Sequence, residues 1–517
     1  MTGGTDRCSV LHRPVRPGQG LSMSTMPTRS TAGTPLENRA RGDELPENVL
    51  LDIFDAYRQD IELRPAYEDV WNSRDGWFKL AHVCRSWRQV VLSSPSRLHL
   101  HLLFTPHRSS MAIMLNSLPP LPILIDYCVA SWTEKDDIFA LAAIRHHSRV
   151  RGIALRRPYK DMAKFLGALS CPFPGLESLE ICPPNKTYSR CHDHELILPA
   201  TFLSGSAPCL RQLTLREVVP ECLSPLLSSA TGLSELTLTL RVAYTALPGA
   251  SLIANLQRLS NLRRLELSLD YWPNTRYPEP PEPPASAGDA VLLSKLTHLI
   301  FTGHILYLQP LVVGLAAPSL QHLDATLCGQ SHCFPIPHLC KFICDTECQF
   351  TVVRLTLRYS KLTFCAGAGS QSIDDQPFKI TIPKRVPLEQ LGQELSRPLS
   401  TVEELVITWE TEPWITEGFN QADQWSGFCC YVPQVKTVRI SAKVALDVAH
   451  SFLPDDREPA LDFLPALERV EVFSVAGMDH LHKPICDAFE PLIVARQRVG
   501  RSIRLSWPNS ALVVSST

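Results

Sequence analysis

The 517-residue sequence lacks long apolar runs and carries almost no net charge, and each absence excludes a class of partner. No stretch reaches the roughly eighteen consecutive apolar residues of a membrane-spanning helix, and the most apolar one, 305–317, is interrupted by Gln309 and Pro310. The 50 basic and 52 acidic residues nearly cancel, leaving −2. We therefore expect neither a membrane nor nucleic acid as a partner.

Motifs for catalysis and metal binding are also lacking. The sequence suggests no Ser-His-Asp or Cys-His arrangement of the kind that nucleophilic catalysis requires. Cys340, Cys344 and Cys348 share one helical face, and Cys191-His192-Asp193-His194-Glu195 could reach an ion from a strand, although a loop is equally compatible. Structural zinc sites use tighter, paired spacings. We therefore predict a protein that is not an enzyme and has no metal or cofactor.

The 17 cysteines are not scarce, but their number is odd and no secretory signal is recognisable. Both features favour reduced thiols in a cytoplasmic or nuclear compartment. We expect most of these cysteines to fill core positions as small apolar residues. With 44% apolar and 20% charged residues, the composition is that of a globular protein.

Residues 1–42 differ from the rest of the chain. They hold six arginines and no lysine against two acids, Asp6 and Glu37, together with four prolines. An arginine-rich, acid-poor start is also typical of a mitochondrial presequence. Four prolines would interrupt an amphipathic helix, so we predict a disordered tail.

Residues 45–100 contain two apolar stretches with helical spacing. In the first, Pro46 lies in the first helical turn, where its missing N–H costs nothing. An apolar stripe follows at Val49, Leu50, Ile53, Phe54 and Tyr57. The second stripe runs from Phe78 to Val91 and predicts one helix that ends before Pro95. From spacing alone, two such helices are compatible with an ordinary small core or with a docking surface.

The identities of these residues resemble the F-box, a small helical bundle that docks on the Skp adaptor of cullin-based ubiquitin ligases. The resemblance rests on the Leu45-Pro46 pair, the Val83–Arg88 run (VCRSWR) and Ser94-Pro95. The sequence that follows, 94–123, resembles the large fungal, basidiomycete-type family of F-box proteins. The segment 55–79 is longer than the compact motif uses, which implies a displaced or extended middle helix.

The resemblance implies a set of adaptor-binding residues on two helices. They are Leu45, Pro46, Val49, Leu50, Ile53, Phe54, Val83, Cys84, Trp87 and Arg88.

From residue 150 onward an apolar-x-x-apolar-x-apolar template returns eleven times. It begins at Val150, Leu176, Leu210, Leu233, Leu262, Leu296, Leu320, Val352, Val402, Val435 and Leu467. A further, degenerate unit around residues 378–382 would fill the long gap after Val352, with 366–375 as a surface loop before it. This pattern is the leucine-rich-repeat signature in an irregular form.

The template has a direct structural meaning. Its second and third apolar positions point from a short strand into a core, because side chains alternate along a strand. One strand–helix unit cannot bury that face alone, so neighbouring units stack into a solenoid.

We therefore predict an α+β or α/β chain with three parts. A disordered tail (1–42) is followed by a helical F-box (43–105) and an irregular leucine-rich-repeat solenoid (106–517), with a proline-rich loop at 272–288. Parallel strands would line the concave face, and helices and loops the convex face.

This organisation implies a substrate-recognition subunit of an SCF-type ubiquitin ligase, cytoplasmic or nuclear. Its F-box would bind the Skp adaptor, and through it a cullin ligase, while the solenoid binds a client protein. The alternative is a ligase-independent interaction or structural protein with a drifted F-box. Candidate client-binding residues are the middle residues of the strand templates, for example Arg211, Gln212, Thr214, Glu235, Thr237, Arg263, Arg264 and Glu266.

Overall fold

The structure is a computed structural model. It describes residues 45–62, 76–105, 115, 118, 120–128, 133–157, 159–183, 196–219, 223–241, 249–270, 290–328, 337–346, 349–358, 361–368, 377–383, 388–410, 422–452, 464–473 and 479–507. The predicted tail, the proline-rich loop and the 191–195 cluster lie outside these residues.

The described chain opens with three helices, α1 (Glu47–Glu62), α2 (Gly76–Ala81) and α3 (Arg85–Ser93), which we call the helical module. Each helix contacts the other two. Leu50, Phe54 and Val91 are at most 1% exposed and form the centre of the module. The prediction of one helix across the second apolar stretch is wrong. The chain turns at residues 82–83, and Cys84 takes an extended conformation before α3 begins.

Twenty strands follow within the described residues. In chain order they are β1 (Leu102–Phe104), β2 (Ile123–Tyr127), β3 (Val150–Leu155), β4 (Ser178–Ile181), β5 (Leu196–Ile197), β6 (Gln212–Arg216), β7 (Val218–Val219), β8 (Glu235–Arg241), β9 (Arg264–Asp270), β10 (Val291–Leu292), β11 (His298–His304), β12 (Leu315–Ala316), β13 (His322–Cys328), β14 (Val352–Leu357), β15 (Lys361–Gly367), β16 (Phe378–Pro383), β17 (Glu404–Trp409), β18 (Thr437–Ser441), β19 (Arg469–Phe473) and β20 (Arg504–Ser506). Sixteen of them form one sheet, and β5–β7 and β10–β12 form two small parallel pairs.

Helices form a second layer beside the sheet. They are α4 (Glu134–Ile144), α5 (Tyr159–Ala168), α6 (Leu223–Ser229), α7 (Gly249–Leu256), α8 (Ile305–Gly314), α9 (Pro337–Cys344), α10 (Leu388–Glu394), α11 (Ser396–Leu399), α12 (Ala422–Cys429), α13 (Ala442–Ser451) and α14 (His482–Arg498). From α6 onward, the helix that connects one pair of repeats packs beside the helix that connects the next pair. Two of these helices, α6 and α7, lie between successive repeat templates.

The repeat template accounts for the core between the two layers. All three apolar positions of every one of the eleven templates are buried, and none is more than 7% exposed. The middle positions pair in register on adjacent strands: Leu179, Leu213, Leu236, Leu265, Leu299 and Leu323. The alternating side chains of the strands occupy the opposite side of the sheet, which we call the open face.

The sheet departs from the prediction in two places. Its order is β13-β16-β15-β14-β17, and β15 runs antiparallel to both of its neighbours. The unit expected at 378–382 is therefore present as β16, but it is paired with β13. Ala366 and Gly367 are buried in β15 instead of lying in the expected surface loop. The sheet also extends upstream of Val150 through β1 and β2.

The architecture is thus mixed α/β, with a long and mostly parallel sheet beside a layer of helices, consistent with a leucine-rich-repeat-like solenoid. Among the described residues, no helix has the length and apolar character needed to cross a bilayer.

Candidate interaction surfaces

The ten predicted adaptor-binding residues fall into three groups by exposure. Leu50 and Phe54 are buried, at 1% and 0% exposure, and contribute to the core of the module. Leu45, Cys84 and Trp87 are half-buried. The exposed group comprises Pro46, Val49, Ile53, Val83 and Arg88.

Val49 and Ile53 are the exposed apolar residues of α1. They are 37% and 40% exposed and lie one helical turn apart, so they share one face of the helix. Leu50 and Phe54, each one residue further along, lie about 100° around the helix on the neighbouring face, which is buried. The N–H of Leu50 donates to the carbonyl of Pro46 at 3.1 Å, so Pro46 is tied to the first turn of α1.

The turn between α2 and α3 exposes Val83 and fixes its two neighbours. Val83 is 58% exposed. Cys84 caps α3, with its Sγ accepting a hydrogen bond from the backbone N–H of Trp87 at 3.4 Å. The Nε of Arg88 donates to the carbonyl of Ala81 at 2.9 Å. These contacts show that Cys84 and Arg88 hold the turn in shape.

Arg97 is a structural residue of the module that sequence reasoning missed. Its guanidinium pairs with Asp52 at 2.7 Å and with Asp55 at 3.4 Å, across more than forty residues of chain. The two acids, one residue before and two residues after Ile53, and a later arginine carry no pattern that reveals this contact. The pair connects α1 to the segment after α3.

The helical module is joined to the sheet by direct hydrogen bonds. The indole Nε1 of Trp77 donates to the carbonyl of His101 at 3.1 Å. The N–H of Leu102, in β1, donates to the carbonyl of Pro122 at 2.8 Å. The first bond ties α2 to the residue before β1, and the second ties β1 to the segment before β2.

The structure places most of the candidate client-binding residues on the open face in two register rows. One row contains Gln212, Glu235 and Arg264, followed by His298 and His322. The other contains Thr214, Thr237 and Glu266, followed by Ile300 and Asp324. Arg211 and Arg263 are exposed but lie just before their strands.

Charged side chains on the open face pair with one another. Arg156 contacts Glu180 at 2.9 Å, Arg264 contacts Glu266 at 3.4 Å, and Lys379 contacts Asp324 at 3.1 Å. Such partly exposed pairs add little stability. Their effect is to leave little uncompensated charge along this part of the face.

Two histidines of the first row stack on each other. The rings of His298 and His322 have centroids 4.4 Å apart and planes inclined by 16°. Burial lowers the pKa of His298, and the neighbouring His322 and Arg264 lower it further. Nδ1 of His298 also lies within hydrogen-bond distance of the hydroxyl of Thr297, at 2.9 Å. The folded protein therefore favours a neutral His298.

A third register row on the open face was not singled out from the sequence. It carries a threonine or serine on eight adjacent strands: Thr239, Ser268, Thr302, Thr326, Thr381, Thr363, Thr356 and Thr408. We call it the hydroxyl row. Its first four members each lie one residue beyond the third apolar position of a repeat template, on β8, β9, β11 and β13. Its last four members depend on the rearranged order of β14–β16, which the repeat spacing does not contain.

A cleft of about 220 Å³ lies over the start of the hydroxyl row. Its lining includes Arg216, Glu217, Thr239, Glu266, Ser268 and Thr302. Of the eight client-binding candidates, the cleft contains Glu266. Glu217 has φ of 55°, a conformation that favours glycine, and its N–H donates to the carbonyl of Thr239 at 2.6 Å. Strained residues of this kind often mark functional sites.

Metal-binding chemistry finds no support in the described part of the chain, where no group of three or more potential ligands converges. Cys340 is buried in α9 and Cys344 is half-buried on the same helix, while Cys348 lies outside the described residues. Burial raises the pKa of the Cys340 thiol far above its ordinary value, which disfavours the thiolate that metals bind.

Comparison with known proteins gives likenesses to solved structures but no family. No family model matches the sequence, and no curated protein matches it. The chain is similar in structure to the leucine-rich repeat-containing protein LegL7 from Legionella pneumophila, at 12% sequence identity and a TM-score of 0.23. The alignment covers 76% of this chain and 97% of that one.

Proposed function

We propose that this protein is a substrate-recognition subunit of an SCF-type ubiquitin ligase. Its helical module binds the Skp adaptor, the open face of the sheet binds a client protein, and other subunits carry out catalysis. The proposal rests on the F-box resemblance of residues 45–95 together with the arrangement of α1–α3.

The exposure of Val49 and Ile53 on α1 is the observation that most supports adaptor binding. Apolar residues of this size on one helical turn are poorly placed for the protein's own core, which Leu50 and Phe54 fill from the neighbouring face. Burying the part of each side chain that is still exposed against a partner contributes about 1 kcal/mol. Val83, exposed at the α2–α3 turn, is the third apolar side chain available to the adaptor.

A ligase-independent interaction protein is the alternative, and one observation favours it. Helix α1 continues to Glu62, eight residues beyond Phe54, and α2 begins only at Gly76. This spacing is longer than the F-box motif uses, so an adaptor that fits the compact motif would have to accommodate it. In the ligase-independent alternative, the same exposed residues would contact a protein other than the adaptor.

Adaptor binding by the full-length chain tests the proposal. Purified protein is titrated with a recombinant Skp adaptor and binding is followed by interferometry. The double variant Val49→Asp/Ile53→Asp should weaken binding at least about 100-fold, because two apolar contacts are replaced by buried charges. Ile138→Asp is a matched control, since Ile138 is an exposed isoleucine on α4, at 64% exposure.

Two results would contradict the proposal. Absence of binding by the unmodified chain would leave the ligase-independent alternative. Equal loss of affinity for Val49→Asp/Ile53→Asp and Ile138→Asp would show that the binding surface does not lie on α1.

A further inference from the structure

The hydroxyl row contains two parts with different hydrogen bonding. In the C-terminal part the hydroxyl of Thr408 donates to that of Thr356 at 2.9 Å, and the hydroxyls of Thr363 and Thr381 lie 3.3 Å apart. Thr356, Thr363 and Thr381 are buried. These hydroxyls satisfy one another within the protein.

The N-terminal part is half-exposed and unsatisfied. It comprises Thr239, Ser268, Thr302 and Thr326, on β8, β9, β11 and β13. Within the described residues, none of these four side chains has a hydrogen-bond partner. The cleft lies over three of them. Four adjacent strands thus present unused hydroxyls at one level of the open face.

Strand preference alone does not account for this arrangement. Threonine is common in strands because its branched side chain suits a pleated surface. Serine has no such branch, yet Ser268 continues the row between Thr239 and Thr302. The feature that all members share is therefore the hydroxyl group.

The charges around the row indicate the chemistry of its ligand. Glu266 and Asp324, in the neighbouring row, are each paired with a basic residue of the same face. Arg216 precedes Thr239 in the hydroxyl row and lines the cleft, and no side-chain hydrogen bond or ion pair of Arg216 occurs within the described residues. The row itself carries no acid, although Glu217 lies beside Arg216 in the cleft. A strip of hydroxyls with a guanidinium at its end suits an uncharged peptide backbone that carries one carboxylate.

We propose that the hydroxyl row is the client-binding strip and that its ligand is an extended peptide segment lying across the strands from β6 to β13. The four hydroxyls bond main-chain groups of the segment, and Arg216 binds an Asp or Glu side chain at one end. Four strand spacings of about 4.8 Å span about 19 Å, which corresponds to about six extended residues. This inference rests on the proposed function only in taking the client to be a protein.

Peptide selection on the purified full-length chain tests the inference without a known client. A display library of ten-residue peptides with six random central positions is selected for binding. Enriched peptides are then synthesised, and their affinities are measured by fluorescence anisotropy. The variant Thr239→Val/Ser268→Ala/Thr302→Val/Thr326→Val should bind them at least about 30-fold more weakly, because several hydrogen bonds are lost while side-chain shape is nearly kept.

Matched variants separate the hydroxyl row from the rest of the face. Thr214→Val/Thr237→Val removes two hydroxyls from the neighbouring row and should leave the affinity within about twofold. Arg216→Ala should weaken acidic peptides about tenfold and leave a peptide with Asn or Gln in place of the acid unchanged. Equal thermal midpoints for all variants would show that folding is intact. If the quadruple variant is unstable, the peptide affinity of the single variant Thr302→Val is measured in its place.

Three outcomes would overturn the inference. They are the absence of any enriched peptide, an affinity of the quadruple variant equal to that of the unmodified protein, and equal losses of affinity for the variants of the two rows. None of them bears on adaptor binding, which the Val49 and Ile53 variants test separately.

Discussion

The ring of Phe54 lies edge-on against the indole of Trp87, with centroids 4.9 Å apart and planes inclined by 62°. Phe54 belongs to α1 and Trp87 to α3, which are separated by more than thirty residues of chain. Edge-to-face aromatic pairs contribute beyond their buried area. This contact therefore joins the two ends of the helical module.

Trp87→Ala should destabilise the helical module. We expect a loss of about 2–3 kcal/mol, less than for a fully buried tryptophan, because Trp87 is half-buried. Hydrogen exchange measured by mass spectrometry should show lower protection in α1 and α3 and unchanged protection in β9. Trp87→Phe should recover part of the protection. Unchanged exchange in α1 would contradict a packing role for this pair.

Leu236→Ala should be costly for the repeat array. Leu236 is fully buried and lies in register between Leu213 and Leu265. We expect a loss of about 3 kcal/mol or more, seen as a lower urea midpoint, because the removed side chain leaves a cavity between fixed neighbours. Thr237→Ala, on the open face of the same strand, should cost about 1 kcal/mol or less. Similar costs at the two positions would contradict the two-faced sheet.

His298 should make stability depend on pH in the acidic range. Burial, His322 and Arg264 lower the pKa of His298 below its ordinary value of 6.5. Below about pH 6.5 the unfolded chain therefore binds more protons than the folded one, and stability falls as the pH falls further. Above that pH this contribution is fully present.

Thermal midpoints at pH 7.5 and 5.5 would test this dependence. The decrease should be smaller for His298→Gln than for the unmodified protein, whereas His146→Gln, at an exposed turn, should behave like the unmodified protein. A decrease of the same size in His298→Gln would show that other groups, such as the buried His304, dominate the acid range.

The buried cysteines should resist alkylation. Burial raises the pKa of Cys182 to about 12 and also raises the pKa values of Cys340 and Cys429. Cys171 and Cys209 are exposed. With iodoacetamide at pH 8, the exposed pair should react at least about tenfold faster than the buried residues, as mass spectrometry of the fragments would show. Denaturant should remove the difference, and equal rates in its absence would contradict the assigned burial.

The sequence predicted the core of the sheet well, for a physical reason. Leu233, Leu236 and Leu238 are buried because a period-two strand preceded by a turn can place them on one side only, and the other templates follow the same geometry. The apolar stripe of α1 was equally informative about its helical spacing. It did not tell which apolar side chains face inward, and the structure turns Leu50 and Phe54 inward but Val49 and Ile53 outward.

Other features depended on partners that are distant in sequence. The thiol of Cys84 became a helix cap because the chain turns just before it, and Arg97 became a bridge because α3 returns beside α1. The antiparallel β15 lies in a segment where the template is absent, and its place between β14 and β16 depends on pairing with both.

The amino-acid sequence by itself determined the alternation of leucines that sorts each strand into a buried and an open side, and the helical spacing of residues 47–54. These are local properties, fixed by the repeat of side chains along one strand or helix. The tertiary structure alone decided which open-face residues stand together, because strand order and register are set by contacts between distant segments. The C-terminal half of the hydroxyl row exists only through that order, since β14 follows β13 in the chain but lies three strands from it in the sheet.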